Sequence, residues 1–398
     1  MTLRASAPGK LILSGEHAAV YGHPALVATI DRRLDVALER LSAPPTGASA
    51  VDAVLLELPD LTPTPIVTSW TALRDAARAA RDRWRAYRDD PATGSIADVR
   101  AGAGVVELAC GEALLHLEAR GGAPVVGRPA RLRVTSQIPV GGGFGSSAAA
   151  ATATAAAVLH ALAPDRPWSS DDAGRAAIAD VALEAERRQH GAPSGVDGAT
   201  VLHGGLLWAV PASDASGAIG RPTRTPLRPS MAQLARFRVY DTGPPAESTG
   251  EVVAAVAARR RAAPAQVDAT LDVIADATRT LRDRLCDADA DADDTAPDPQ
   301  VIAAVRRVHG ALCALGAVPE AVRRCATEIE TRGGAAKISG AGSILGPGAG
   351  ALLVYDRGPT RARADRIHEA VDPTDAIASL QPLEVRLGGD GLRFDRGS

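Results

Sequence analysis

The stretch from Arg131 to Ala163 constrains this chain more than any other. Arg131–Gln137 alternates apolar and polar residues as a strand does, Pro139 stops it, and a glycine loop, Pro139-Val-Gly-Gly-Gly-Phe-Gly-Ser-Ser-Ala148, opens onto Ser146–Ala163. That last run holds no Asp, Glu, Lys or Arg and is dominated by alanine and threonine. Such a helix is best packed inside a protein, and its composition does not suit a membrane span. In the loop, Gly141, Gly142, Gly143 and Gly145 let backbone amides converge without Cβ obstruction. The helix start adds free N–H groups and the positive end of its dipole. The unit predicts a polyphosphate cradle made by Pro139, Gly141, Gly142, Gly143, Phe144, Gly145, Ser146 and Ser147, with the two hydroxyls able to cap the helix or coordinate Mg2+. It is not a Walker A loop, because no Gly-Lys-Ser/Thr follows, and Gly145-Ser-Ser-Ala lacks the second glycine of a nucleophile elbow.

The chain has 398 residues, 46% of them hydrophobic, enough to bury two cores. Its formal net charge of −3 excludes a basic nucleic-acid footprint. Cys110, Cys286, Cys313 and Cys325 are scattered without paired spacing, as expected of isolated thiols in a reducing compartment. Residues 1–13 carry an early Pro-Gly and a lysine rather than the apolar core of a leader. The expectation is a soluble cytoplasmic protein with no membrane and no nucleic-acid partner.

Strands are expected at Arg4–Leu13, Ala25–Ile30 and Leu34–Leu41. A helix should run from a Ser69 cap to about Arg88, another from Val105 to Glu118, and another from Ser170 to about Gln189, with two short strands between Ala199 and Val210. Residues 212–232, rich in Pro, Ser and Thr, are the linker candidate, dividing the chain into domains 1–211 and 233–398. The second half has strands at Arg236–Asp241, through Lys337, at Ala351–Tyr355 and near Leu383–Leu387, with helices between, in the order of a split βαβ fold. The Asp/Ala alternation of Asp287–Asp294 lacks the glycine and terminal glutamate of a calcium loop.

Lysine occurs only at Lys10 and Lys337, both beside glycine-rich segments, whereas arginine fills the other cationic positions. A surviving lysine in such a background suggests a place where a compact ammonium is needed and a planar fork will not serve, as in phosphate clamping or proton transfer. Glu186-Arg-Arg-Gln-His-Gly-Ala-Pro-Ser-Gly-Val-Asp197 supplies two carboxylates on either side of a turn. One could hold Mg2+ and the other orient or deprotonate a hydroxyl; each alone is also an ordinary surface acid. Glu186 and His190 share a helix face, but no third ligand at motif spacing makes a zinc site. Gly15-Glu16-His17 follows an apolar strand, where polar residues commonly line a pocket.

These segments resemble the GHMP kinase superfamily, and within it the mevalonate kinases. Ala7-Pro-Gly-Lys-Leu-Ile-Leu-Ser-Gly-Glu-His-Ala-Ala-Val-Tyr-Gly-His-Pro-Ala-Leu26 is similar to their first motif, Pro139–Ala149 to the phosphate-binding motif, His190-Gly-Ala-Pro-Ser-Gly-Val-Asp197 to H-G-x-P-S-G-[IV]-D, and Lys337–Gly342 to the third motif. The resemblance implies an α+β fold of two domains, the N-terminal one like ribosomal S5 domain 2 and the C-terminal one ferredoxin-like, with the active site between. It implies ATP and Mg2+ as cofactors and mevalonate or a similar hydroxy acid as substrate. By position, Asp197 would be the base and Lys10 would steady the acceptor oxygen. Ser147 and Glu186 would hold Mg2+, while Glu16, His17 and Thr249 would face substrate. Lys337, Ser339, Gly340, Ala341 and Gly342 would form the third-motif loop. A homodimer is a family-level expectation that the sequence leaves open.

Two departures stand out. The third motif usually continues into glycines and a cysteine, but here it runs Ser343-Ile-Leu-Gly-Pro-Gly-Ala-Gly350, and Glu247 stands where mevalonate kinases often carry an arginine. Replacing a cation by an acid beside the acceptor makes the kinase assignment firmer than the acceptor. The sequence reading is therefore an ATP-dependent kinase for the 5-hydroxyl of (R)-mevalonate. The alternatives are a GHMP kinase for a sugar or another isoprenoid acid, and a non-catalytic sensor of ATP and ligand.

Overall fold

The structure is a computed structural model that describes residues 2–45, 51–90, 95–121, 128–139, 142–168, 170–191, 193–211, 222–287, 296–356 and 380–396. The first sheet is eight-stranded among these residues. It contains β1 (Thr2–Ser14), β2 (Ala25–Arg40), β3 (Ala53–Glu57), β4 (Ile66–Ser69), β5 (Ala130–Ser136), β6 (Leu206–Val210) and β7 (Thr223–Leu227), together with β12 (Arg393–Arg396) from the far end of the chain. The central order is β12-β1-β2-β5-β3-β4, with β6 also pairing β2 and β7 pairing β6. Only the β3–β5 pair is parallel.

Helices α1 (Trp70–Asp89), α2 (Ile96–Arg100), α3 (Val105–Gly121), α4 (Ser146–Leu162), α5 (Asp172–His190) and α6 (Val196–His203) accompany this sheet. The Ser69 Oγ accepts the Ala72 N–H at 3.0 Å and so caps α1 as expected. The alanine helix α4 packs against β1 and β2 on one side and against α3, α5 and α6 on the other. It is buried from Ala148 to Ala161. Small side chains permit that depth, because neighbouring backbones approach on every face.

Residues from 231 onward build α7 (Met231–Leu234), β8 (Phe237–Asp241), α8 (Thr249–Ala262), α9 (Pro264–Leu285), α10 (Pro299–Ala314), α11 (Glu320–Thr331), β9 (Ala335–Ile338), β10 (Ala351–Tyr355) and β11 (Gln381–Leu383). The second sheet is antiparallel in the order β11-β8-β10-β9. Numbered within this half the order is 4-1-3-2, that of a ferredoxin-like split βαβ unit.

Three local expectations are corrected. Ala199–His203 is helix rather than strand, because Gly195 and Asp197 start α6 ahead of it. The pair Ala25–Ile30 and Leu34–Leu41 is one continuous strand. Residues 223–227 of the Pro-rich stretch form β7, whose Pro226 is tolerated because only β6 pairs with it. The helix expected after Tyr355, most of Asp287–Asp294 and residues 212–221 of the linker candidate lie outside the described residues.

Candidate active site

Lys10 and Asp197 meet at the foot of the glycine loop. The β1–β2 register shifts between Pro8 and Lys10, a bulge that re-aims the lysine side chain. Its backbone N–H donates to Phe144 O at 2.8 Å, tying β1 to the loop. The stem runs along Gly145, where a Cβ would come within 2.6 Å of Lys10 Cγ. Lys10 Nζ then lies 3.0 Å from Asp197 Oδ2, the lysine 4% exposed and the aspartate 35%. Gly195, at φ 73°, turns the chain into α6 and puts Asp197 in its first turn, where a carboxylate complements the helix dipole. The result is a buried ammonium holding a solvent-reachable carboxylate.

Glu186, at the end of α5, lies beside this pair. Burial, reinforced by the charge of Asp197, pushes its carboxyl up to about 8, against the opposing effects of the Ser147 hydroxyl and Lys10. His190 Nε2 is 3.1 Å from Ser147 Oγ and 4.0 Å from Glu186 Oε1. Burial pushes the His190 imidazole down to about 4, Arg100 and Lys10 adding to the effect and Asp197 opposing it. A neutral imidazole therefore orients the Ser147 hydroxyl. Sequence reasoning had rejected His190 as a zinc ligand and given it no other role, although its i,i+4 spacing from Glu186 was the signal. Trp84, half-buried on α1, donates its indole N–H to Gly191 O at 2.8 Å, steadying the same turn.

The glycine loop serves two purposes. α4 begins with Gly145 at φ 75° and no side-chain cap, leaving its first N–H groups available, with Ser146 and Ser147 half-exposed beside them. The other purpose is packing against the third-motif loop. A Cβ on Gly143 would meet Ser339 O at 2.6 Å, and Gly142 O accepts the Ala351 N–H at 2.9 Å. Phe144 is buried and Pro139 half-buried, while Gly141 lies outside the described residues.

The structure places several expected residues differently. Lys337 is not part of a loop but sits in β9, fully buried, ion-paired with Glu16 and donating to Ile12 O and Ile338 O. Burial pushes the Glu16 carboxyl up and the Lys337 ammonium down, each opposed by the other's charge. Glu16 Oε1 is thus committed to Lys337, while its Oε2 is buried without a protein partner.

His17 has φ 58° and ψ −44°, with the Ala18 N–H reaching Glu16 O at 2.6 Å: a γ-turn of the strained, positive-φ kind. Its Nε2 donates to Ala341 O at 2.9 Å, linking it to the third-motif loop. In that loop Ser339 Oγ accepts the Ile12 N–H at 2.9 Å, and Gly340 and Gly342 take φ of 104° and 77°. Thr249 is exposed at the start of α8, whose first turn abuts His190: a Cβ on Gly250 would lie 3.6 Å from His190 O.

Comparison with known proteins follows these lines. Residues 108–205 match the family GHMP kinases N terminal domain. The chain is 31% identical to Mevalonate kinase of Arabidopsis thaliana over 224 residues, 52% of this chain and 57% of that protein. It is 27% identical to Mevalonate kinase of Pyrococcus horikoshii over 395 residues, 99% and 98% of the two. The chain spans about half the length of the first curated relatives it matches. The crystal structure of the Methanococcus jannaschii mevalonate kinase superposes with a TM-score of 0.64 at 17% identity, covering 98% of each chain. The chain therefore has the fold of the GHMP kinases, and residues 108–205 match that superfamily's N-terminal domain. Within the superfamily, it is similar to the mevalonate kinases.

Proposed function

We propose that the chain is an ATP-dependent kinase that phosphorylates the 5-hydroxyl of (R)-mevalonate. The observation that carries the reading is the 3.0 Å Lys10–Asp197 contact beside an uncapped helix start able to receive phosphates. Asp197 takes the proton of the acceptor hydroxyl, and Lys10 steadies the negative charge left on that oxygen as it attacks the terminal phosphorus. The backbone amides of residues 142–147 hold the phosphate oxygens, so that catalysis is chiefly positioning and charge stabilisation.

Ser147 and Glu186 suit Mg2+. A carboxyl that burial and the nearby charge of Asp197 keep protonated up to about 8, next to a hydroxyl, is part of an oxygen pair that a hard cation would ionise and use. When bound, Mg2+ supplies charge neutralisation on the phosphates; Ser147 and Glu186 would hold it. Similarity to proteins named mevalonate kinases supports the acceptor. The same reading takes the two sheets as the cores of two domains, divided near 212–232, with β12 returning to the first. No helix among the described residues is long and apolar enough to cross a membrane, and we place the enzyme in the cytoplasm. A sensor without turnover would have no use for the Lys10–Asp197 pair.

The test is coupled ADP release with Mg-ATP and (R)-mevalonate, with phosphomevalonate, galactose and homoserine in parallel. Turnover on mevalonate alone is expected. Turnover only on another acceptor keeps the kinase and moves the substrate, and silence on all four contradicts the reading.

A further inference from the structure

We propose that Glu247 is a positioning residue that clamps the loop after Gly342 against the acceptor side of the site, and that Glu247 and Ser343–Leu345 form one interdependent unit. The inference rests on the kinase reading above and adds a specificity element to it.

Both oxygens of Glu247 are occupied by that loop. Oε2 accepts the Ser343 hydroxyl at 2.6 Å and the Ile344 N–H at 3.2 Å, and Oε1 accepts the Leu345 N–H at 2.8 Å. Ser343 is fully buried, and its Oγ also accepts the Ala246 N–H at 3.3 Å and lies 2.6 Å from Leu345 O. Burial opposes ionisation of Glu247, but these donors outweigh it and hold the carboxyl below its usual range. Two N–H groups, with the Ser343 hydroxyl beside them, thus converge on a single side chain, and only an acceptor satisfies the two amides. An arginine there would face donors with donors. The acid at 247 and the altered third-motif loop are therefore not two separate departures; each supplies what the other needs.

The clamp reaches the site along two short routes. Upstream, Ser343 N–H donates to Ala317 O at 3.0 Å, and Ala341 O receives the His17 imidazole at 2.9 Å, so the same loop is anchored to the strained His17 turn. Downstream, Glu247 directly precedes Ser248, whose capping box with Glu251 fixes the start of α8 and hence Thr249. His17 and Thr249 are the residues expected to face the acceptor, and Glu247 ties their two elements to one another. It touches no reacting atom, because both of its oxygens are used.

The experiment compares wild type, Glu247→Ala, Glu247→Gln, Ser343→Ala and the Glu247→Ala/Ser343→Ala double variant, by hydrogen–deuterium exchange without ligands and by initial rates per folded molecule. In wild type the Ile344 and Leu345 amides are expected to be protected, and Glu247→Ala should remove that protection. Glu247→Ala should raise the KM for the acceptor about tenfold and that for ATP less than about threefold, the scale of losing hydrogen bonds to a charged group. Glu247→Gln, which keeps one acceptor oxygen, should fall between, and the double variant should be little worse than Glu247→Ala alone. A lower melting temperature with unchanged KM values would reduce Glu247 to a structural residue and overturn the proposal. Unprotected Ile344 and Leu345 amides in wild type would overturn the clamp itself. A wild type with the amides protected but no turnover on any of the four acceptors would instead defeat the kinase reading, leaving the exchange data to support the clamp.

Discussion

Lys337 and Glu16 form an ion pair with neither side chain exposed to solvent, joining β9 in the second half of the chain to the residues just after β1. The ammonium has three hydrogens and meets three oxygens: Glu16 Oε1, Ile12 O at 3.1 Å and Ile338 O at 2.8 Å. A planar fork cannot serve that arrangement. The chain's second lysine is thus retained for packing, while Lys10, paired with Asp197, lies in the proposed reaction centre.

The two lysines should separate in experiment. Lys337→Met should cost about 3–5 kcal/mol, the scale for stranding one member of a buried pair. Adding Glu16→Gln should return part of it. Lys10→Arg should leave the unfolding midpoint nearly unchanged while lowering kcat by orders of magnitude. Urea unfolding and initial rates on the same samples check both; a Lys337→Met variant of wild-type stability would contradict the role given to the pair.

Gly145→Ala should act through its neighbour. The new Cβ would meet Lys10 Cγ at 2.6 Å and Cε at 2.9 Å at a residue with φ 75°, so the lysine stem has to shift away from Asp197. Gly22→Ala, at φ 87° with nothing within 4 Å, carries only the backbone cost of about 1–2 kcal/mol. The expected result is a kcat loss of at least about tenfold for Gly145→Ala and none for Gly22→Ala, since small displacements at a reacting centre are costly. Equal kcat values would show that the Lys10 path is not as described.

Glu186 should make nucleotide binding proton-linked. Folded, it keeps its proton up to about 8; unfolded, it titrates as an ordinary carboxyl near 4.5. Between those values the folded state holds more protons, so this group's contribution to stability falls as pH rises across that window. Binding of Mg-ATP at pH 7 should release close to one proton, and the release should fade above pH 8. Calorimetry in two buffers of different ionisation enthalpy measures it, and Glu186→Gln should abolish it. Binding at pH 7 without proton release would remove Glu186 from the metal site.

Local chemistry decided what the sequence could reveal. The Ser69 cap, the alanine helix and the strand–glycine loop–helix unit are each specified by residues within one element, and all three are found in the structure. The helical state of Ala199–His203 escaped because its β-branched residues mimic a strand, and the helix is imposed by the turn at Gly195. The packing role of Gly142 and Gly143 was hidden because Ser339 and Ala351 approach from about 200 residues away. Glu247 was read as an acid misplaced beside an anionic substrate, since its partners at Ser343–Leu345 lie 96 to 98 residues further along the chain. Lys337 was singled out for phosphate clamping or proton transfer, but its buried partner gives it a packing role instead, and no spacing pointed to Glu16.

The central claim is that Asp197, held by Lys10, accepts the proton of the acceptor hydroxyl, and single-turnover transfer by Asp197→Asn tests it most directly. ATP affinity is measured on the same protein, with (R)-mevalonate as acceptor. The account predicts near-normal ATP binding and a transfer rate about 10²–10⁴-fold below wild type, the usual range for loss of a general base. A variant that keeps more than about a tenth of the wild-type rate would contradict it.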